Sequence, residues 1–168
     1  GSGTSLDIFP KYFKSSNLWG YDVSKEFIKK IKKRKKNVKL TSNLSKIPKE
    51  KFDIIFISNV LHHIDKKKHI RTLSNCRSFL NKTGVIYIFE HNPINPVTNY
   101  IFKNALIDRN AEMVPSRRLI GTALKAKLKV ASLKYTLFFP KQLSFLRFLE
   151  KFLVWIPLGA QYLLILNK

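Results

Sequence analysis

Apolar and polar positions along the chain fall into short blocks whose period changes from one block to the next. "NLWGYDV" reads as a short strand ending at Asp22, and "SKEFIKKIKKRKK" then takes up helical spacing. Ser24 is a suitable N-cap there, and Phe27, Ile28 and Ile31 form an apolar stripe opposite a face of lysines. "NVKLTS" is a weaker strand. "KFDIIFISNVL" is a strong one, because Ile54, Ile55, Phe56 and Ile57 make a continuous apolar run, the pattern of a strand covered on both faces. "KKKHIRTLSNCRSFLN" predicts a helix with Leu73, Cys76 and Leu80 on one side, ended by Gly84 before the strand "VIYIFE". Strand, helix, strand, helix, strand is a parallel-sheet rhythm.

After Glu90 the texture changes. "HNPINPVT" holds two Asn-Pro steps that impose loop geometry, and "PVTNYIFKNALI" predicts a helix opened by Pro96. A second helix, "PSRRLIGTALKAKL", precedes the strand "KYTLFF". A final helix from about Lys141 to Ile156 leads into an antiparallel terminal strand, "AQYLLIL". There is no internal repeat and no Pro/Gly-rich boundary, so residues 1–168 are expected to form a single α/β domain.

Composition narrows the class. A hydrophobic content of 45% with 12% aromatics excludes a disordered chain. The 32 Lys and Arg against 10 Asp and Glu give a net charge of +22, a field that attracts nucleic acid or an anionic membrane face. An AT-rich genome produces the same excess of Lys, Ile, Asn and Phe, so charge alone names no partner. One cysteine, Cys76, makes no internal disulfide, and no secretory signal opens the chain, so a cytoplasmic setting is expected. No apolar run reaches the length of a membrane span.

A parallel α/β sheet binds its ligand outside the carboxyl ends of its strands. Four such places stand out: the glycine turn at the start, Asp22, Ser58-Asn59 and Glu90-His91. Taken alone, "GSGT" reads either as a cloning remnant or as the second half of a glycine turn whose amides approach a nucleotide. The distance from Gly1 to Asp22 suits the second reading, with the carboxylate taking ribose hydroxyls. His62 and His63 are adjacent, but no other His, Cys or acidic residue completes a familiar ligand spacing, so no metal site is expected. Glu90 and His91 end a strand over the same cleft, where either is able to accept a proton from a substrate hydroxyl.

"GSGTS", "GYDVS" and above all "FDIIFISNVLHHI" resemble the class I S-adenosylmethionine-dependent methyltransferases, which carry a G-x-G-x-G loop, a G-x-D-x-S segment and an F-D-x-x-x-x-x-x-V-L-H-H-I stretch. The resemblance implies a Rossmann-like, mostly parallel sheet with helices on both faces, and S-adenosylmethionine as cofactor. It implies that Gly1, Ser2, Gly3, Thr4, Asp22, Val23, Asn43, Ser58 and Asn59 hold that cofactor. Ser58 and Asn59 would lie at its methionine portion, and Asn43, in place of the family's acidic residue, would face the adenine amino group. The third loop glycine is replaced by Ser5, and the first strand with its preceding acidic residue is absent, so the chain resembles an N-terminally truncated copy.

"EHNPINPVT", "YTLFFP" and "PLGAQY" resemble a bacterial subgroup associated with glycosyl or lipid-linked pathways. The expected reaction is methyl transfer to a small-molecule or lipid-linked acceptor, at oxygen, with His62, Glu90 and His91 as candidate catalytic residues. Two rivals stand beside it. An RNA methyltransferase suits the charge, but the N/D-P-P-Y/F box of amino-directed enzymes is replaced by "SNVL". A degenerate, non-catalytic fragment suits the absent strand. The segment "KQLSFLRFLEKFLVWI" is apolar around most of its circumference, with Ser144, Arg147 and Lys151 as a narrow polar stripe. It either packs on the sheet or makes a peripheral membrane contact.

Overall fold

The computed structural model describes residues 3–13, 17–34, 38–109 and 111–168. The chain divides into two compact units, Gly1–Pro48 and Lys49–Lys168.

In the first unit α1 (Ser5–Tyr12) is followed by β1 (Trp19–Tyr21), α2 (Lys25–Arg34) and β2 (Lys39–Thr41). The two strands pair in parallel, with Gly20 opposite Leu40. Ser24 opens α2 as expected, its hydroxyl accepting from Phe27 N at 3.3 Å. Ile28, Ile31 and Leu40 form the core, with Leu6 of α1 and Val38 packed against them. Phe27 departs from the predicted stripe and is 46% exposed. Ile28 and Ile31, three apart, lie on one helix face, and Phe27 is turned about 100° away from Ile28. The helix α1 has no counterpart in the predicted elements.

The second unit is a four-stranded sheet in the order β3 (Phe52–Ser58), β4 (Leu80–His91), β6 (Gln161–Asn167), β5 (Lys129–Thr136). β3 and β4 are parallel, and β6 runs antiparallel to both of its neighbours. The helices are α3 (His69–Phe79), α4 (Pro96–Asn104), α5 (Ser116–Lys125) and the short α6 (Glu150–Leu153). Ile86 and Ile88 of β4 and Leu164 and Leu166 of β6 are fully buried, joined by Leu73 of α3 and Leu119 of α5 in one cluster. The chain is thus α/β and Rossmann-like, with the antiparallel terminal strand that the sequence implies.

Three expectations need correction. Helix α3 stops at Phe79, and Gly84 lies inside β4, because Leu80 is already extended and pairs with Phe52. Ile54 is 43% exposed despite its apolar run, since among the described residues β3 lies at the edge of its sheet, paired with β4 alone. The final helix is not continuous. Residues Lys141–Leu149 follow a 3₁₀ path broken at Leu143 (φ −107°, ψ 27°), and only Glu150–Leu153 is α-helical. Glu150 reaches back from there, accepting from Leu137 N at 3.2 Å and Phe139 N at 3.3 Å, so the segment is tied to the turn after β5.

The two Asn-Pro steps act together. Asn92 donates its amide to the carbonyls of Pro157 (3.0 Å) and Gly159 (2.8 Å), while Asn95 donates to Leu158 O (2.6 Å) and caps α4 by accepting from Thr98 N (2.8 Å). Gly159 has to be glycine, because a Cβ there would sit 2.5 Å from Thr136 O. The end of β4 is thereby locked to the segment that leads into β6.

Candidate active site

In the first unit the chain turns at Gly3, whose φ of +78° favours glycine and whose Cβ, if present, would lie 3.2 Å from Ile31 Cδ1. Helix α1 follows at once, with Leu6 N donating to Gly3 O at 3.0 Å. A glycine turn feeding a helix N-terminus is the arrangement that presents backbone amides to a nucleotide. Thr4, next to it, is exposed. Asp22 follows β1, half-buried, with Oδ1 accepting from Ser24 N at 2.8 Å, and Val23 is exposed. Asn43 behaves differently from expectation. Its Oδ1 accepts from both Ser45 N (2.9 Å) and Ser45 Oγ (2.8 Å), so the oxygen an adenine amino group would need is already engaged in capping a turn. Gly1 and Ser2 lie outside the described residues.

In the second unit the site grows out of the end of β3. Ser58 closes the strand opposite Phe89. Asn59 has φ 52°, a left-handed conformation that asparagine tolerates, and donates its N–H to Phe89 O at 2.9 Å. Its side-chain Oδ1 is buried without a hydrogen-bond partner, an arrangement that a ligand donor would satisfy. The next turn wraps around Glu90, which is fully buried. Glu90 Oε1 accepts from Val60 N (3.0 Å) and Leu61 N (2.6 Å), and Oε2 takes His62 Nδ1 at 2.6 Å. With so many acceptor positions filled by its own neighbours, Glu90 orients His62 and does not face a substrate.

His62 is buried, with its ring 5.2 Å from that of His91 and 5.6 Å from that of Phe102. Its Nε2 lies 3.7 Å from Asp108 Oδ1, and His63 Nε2 lies 3.5 Å from the same oxygen. His91 is half-buried, and burial first, then the neighbouring His62, hold its imidazole below the ordinary histidine range. It lines a small cavity of about 210 Å³ with Thr98, Ile101, Phe102, Asp108 and Leu137. Leu137 has φ 59°, a strained conformation for a branched apolar residue, and it sits on the wall of this cavity. A larger, more open cavity of about 530 Å³ borders His62 and His63 on another side, with Asp65, Lys66, Glu112 and Arg118.

Other titratable groups serve structure. Burial pushes the Cys76 thiol up to about 12, and burial likewise raises the Tyr162 phenol, whose hydroxyl donates to Val114 O at 2.7 Å. His69 Nε2 bridges the carbonyls of Leu61 (3.0 Å) and Ile64 (2.9 Å), fixing the turn that carries the histidine pair.

The family model described as a methyltransferase domain matches residues 1–86, just over half of the chain. The chain belongs to the class I S-adenosylmethionine-dependent methyltransferases. Solved structures share its fold at low identity. A SAM-dependent methyltransferase from Archaeoglobus fulgidus is 18% identical, with a TM-score of 0.76 over 100% of this chain and 82% of its own. A SAM-dependent methyltransferase from Methanosarcina mazei is 13% identical, with a TM-score of 0.70 over 100% and 88%. An O-methyltransferase family 2 protein from Planctomyces limnophilus, in complex with apigenin, is 18% identical, with a TM-score of 0.69 over 100% of this chain but 48% of its own. No curated protein matches significantly.

As a methyltransferase the chain uses S-adenosylmethionine, and two features of its own fit that cofactor: the cramped, left-handed Gly3 turn in the first unit, and the unpartnered buried Asn59 oxygen in the second. The sequence missed Asp108, which lies 46 positions beyond His62 in a segment with no periodic signal. No local signal marks it, because only the folded chain brings its carboxylate to the histidine pair.

Proposed function

We propose that this methyltransferase transfers the methyl group to an oxygen of a small-molecule or lipid-linked acceptor, and that His91 is the residue that takes the acceptor's proton. The observation that carries the reading is the position of His91 on the wall of the 210 Å³ cavity, beside the apolar side chains of Ile101, Phe102 and Leu137. Such a cavity is too small and too apolar for a nucleic-acid base with its backbone, but it suits the reacting end of a compact acceptor.

S-adenosylmethionine supplies an already activated methyl group, so the chain's own work is alignment, exclusion of water and removal of one proton. Gly3, Thr4, Asp22 and Val23 of the first unit, and Ser58 and Asn59 of the second, are the residues assigned to the cofactor. Phe102 packs edge-on to the rings of both His62 (5.6 Å) and His91 (5.7 Å), which favours a fixed, dry setting for both imidazoles. Glu90 positions His62 through Nδ1. A hydroxyl is a weak nucleophile, and it is the acceptor type for which a base matters.

A lipid-linked acceptor is supported by the segment 141–158. Phe145, Phe148, Phe152 and Trp155 are 69%, 65%, 61% and 74% exposed, with Lys141, Arg147 and Lys151 interspersed. Aromatic side chains on the outside beside basic ones suit an interfacial contact with anionic lipid. No helix among the described residues is long and apolar enough to cross a membrane.

The test is transfer of labelled methyl to a panel of phenols, sugar hydroxyls and polyprenyl-linked sugars, alongside amines and RNA. Label on hydroxyl acceptors is expected, with His91→Asn lowering kcat by about 10²- to 10⁴-fold, the usual worth of a positioned base, and leaving KM for S-adenosylmethionine unchanged. Label only on RNA or on nitrogen would overturn the reading.

A further inference from the structure

Three side chains of the second unit, His62, His63 and Asp108, each bring one donor atom within 4.8 Å of the others, the histidines lining the larger cavity and Asp108 the smaller. We propose that they form a divalent-cation site, best suited to zinc, with an open position toward the acceptor cavity.

Spacing is the first support. A tetrahedral centre with bonds of about 2.0–2.1 Å sets its donors about 3.3 Å apart. Asp108 Oδ1 stands 3.7 Å from His62 Nε2 and 3.5 Å from His63 Nε2, each within a few tenths of an ångström of that spacing, and the donor atoms of the two histidines lie within 4.8 Å of each other. These distances are long for direct hydrogen bonds, and a cation between them accounts for all three groups turning inward. Two imidazoles and a carboxylate are a donor set zinc accepts, with the fourth position left to water or substrate.

The second support is the shell behind the ligands. With Nδ1 of His62 donating to Glu90 at 2.6 Å, its Nε2 lone pair points outward, the carboxylate–histidine arrangement that fixes a metal-binding tautomer. Glu90 is held in turn by the amides of Val60 and Leu61, so the first ligand is immobile before any ion arrives. Asp108 is 16% exposed and His63 44%, which leaves an entry path through the larger cavity.

Charge is the third. The chain as a whole carries +22 and repels cations, yet two carboxylates, Glu90 and Asp108, touch His62; in the larger cavity Asp65 and Glu112 are offset by Lys66, Lys67 and Arg118, with Glu112 paired to Lys66.

Only the role of the cation rests on the functional reading above: a bound divalent ion would lower the pKa of an acceptor hydroxyl that takes its open position. Binding itself is independent of that reading and is measured without cofactor or acceptor. The full chain is titrated with zinc chloride by calorimetry, and with cobalt chloride while following visible absorption. One equivalent of zinc and the intense visible bands of four-coordinate cobalt are expected. His63→Ala and Asp108→Asn each should weaken binding at least tenfold with an unchanged circular dichroism spectrum. Glu90→Gln should weaken it about 10- to 100-fold, as outer-shell partners do. Absence of stoichiometric binding by the unaltered chain, or binding that survives both His63→Ala and Asp108→Asn, would overturn the site.

Discussion

Two regions of the second unit place their groups against the ordinary rule, in opposite directions. Around the end of β3, charged and polar groups are inside: Glu90 is fully buried, and His62 and His69 with it. Along residues 141–158, large aromatic groups are outside, from Phe145 to Trp155. The first arrangement is stable because Glu90, His62 Nδ1 and His69 Nε2 find partners within the turn, while Asn59 Oδ1 and His69 Nδ1 are buried without one. The second gains little by folding, since its exposed aromatic area stays in water and its own ties, Trp155 Nε1 to Phe152 O (2.9 Å) and Lys151 over the Phe152 ring, lie at the surface. Deletions should therefore register on folding in one region and on binding in the other.

Glu90→Ala tests the first half and carries the largest expected effect. It leaves the Leu61 amide and the His62 ring buried without their acceptor, and the part-buried Val60 amide with them, at about 1–3 kcal/mol for each unsatisfied buried group. A loss of about 3–5 kcal/mol of stability is expected in urea unfolding. A loss under about 1 kcal/mol would mean that water reaches the turn and that Glu90 is not the centre of a closed network.

The triple change Phe148→Ser, Phe152→Ser and Trp155→Ser tests the other half. Stability should shift by less than about 0.5 kcal/mol per site, as for exposed positions in general, while partition onto vesicles containing phosphatidylglycerol falls tenfold or more. If instead the chain loses several kcal/mol of stability and vesicle binding is untouched, these rings are core after all and the contrast fails.

The same contrast separates what the sequence discloses from what it hides. The β3 and β4 strands, α2, α3, α4 and α5 are legible because Ile28 and Ile31, Leu73, and the alternation of Ile86 and Ile88 repeat with the period of the element that buries them. Gly3, Asp22, Asn59 and Glu90 are legible as strand-end or turn residues, since the topology rule for ligand sites needs only order along the chain. Asp108 is not, because tertiary packing alone carries it to the histidines. The 3₁₀ course of Lys141–Leu149 is hidden for a related reason. Its apolar residues suit a helix by composition, and the break at Leu143 accompanies distant ties, such as Glu150 to the amides of Leu137 and Phe139, that no local pattern reports.

Exposed aromatics and exposed charge are not equivalent evidence for a partner, and the basic face of α2 sharpens the point. Lys29, Lys30, Lys32 and Lys33 are exposed, and the other face of the helix already finds its place through Ile28 and Ile31. Such lysines need no partner, because water solvates them fully and, at about 0.15 M salt, charges more than about 8 Å apart are largely screened from one another. Changing all four to glutamine should therefore have the smallest effect of all: unchanged cofactor affinity, and vesicle and RNA binding within about twofold of the parent at that salt concentration. A large, salt-dependent loss of RNA binding would place a polyanion on this face, transfer weight from the lipid-linked acceptor to a nucleic-acid substrate, and show that the net charge of +22 is selected and not a by-product of composition.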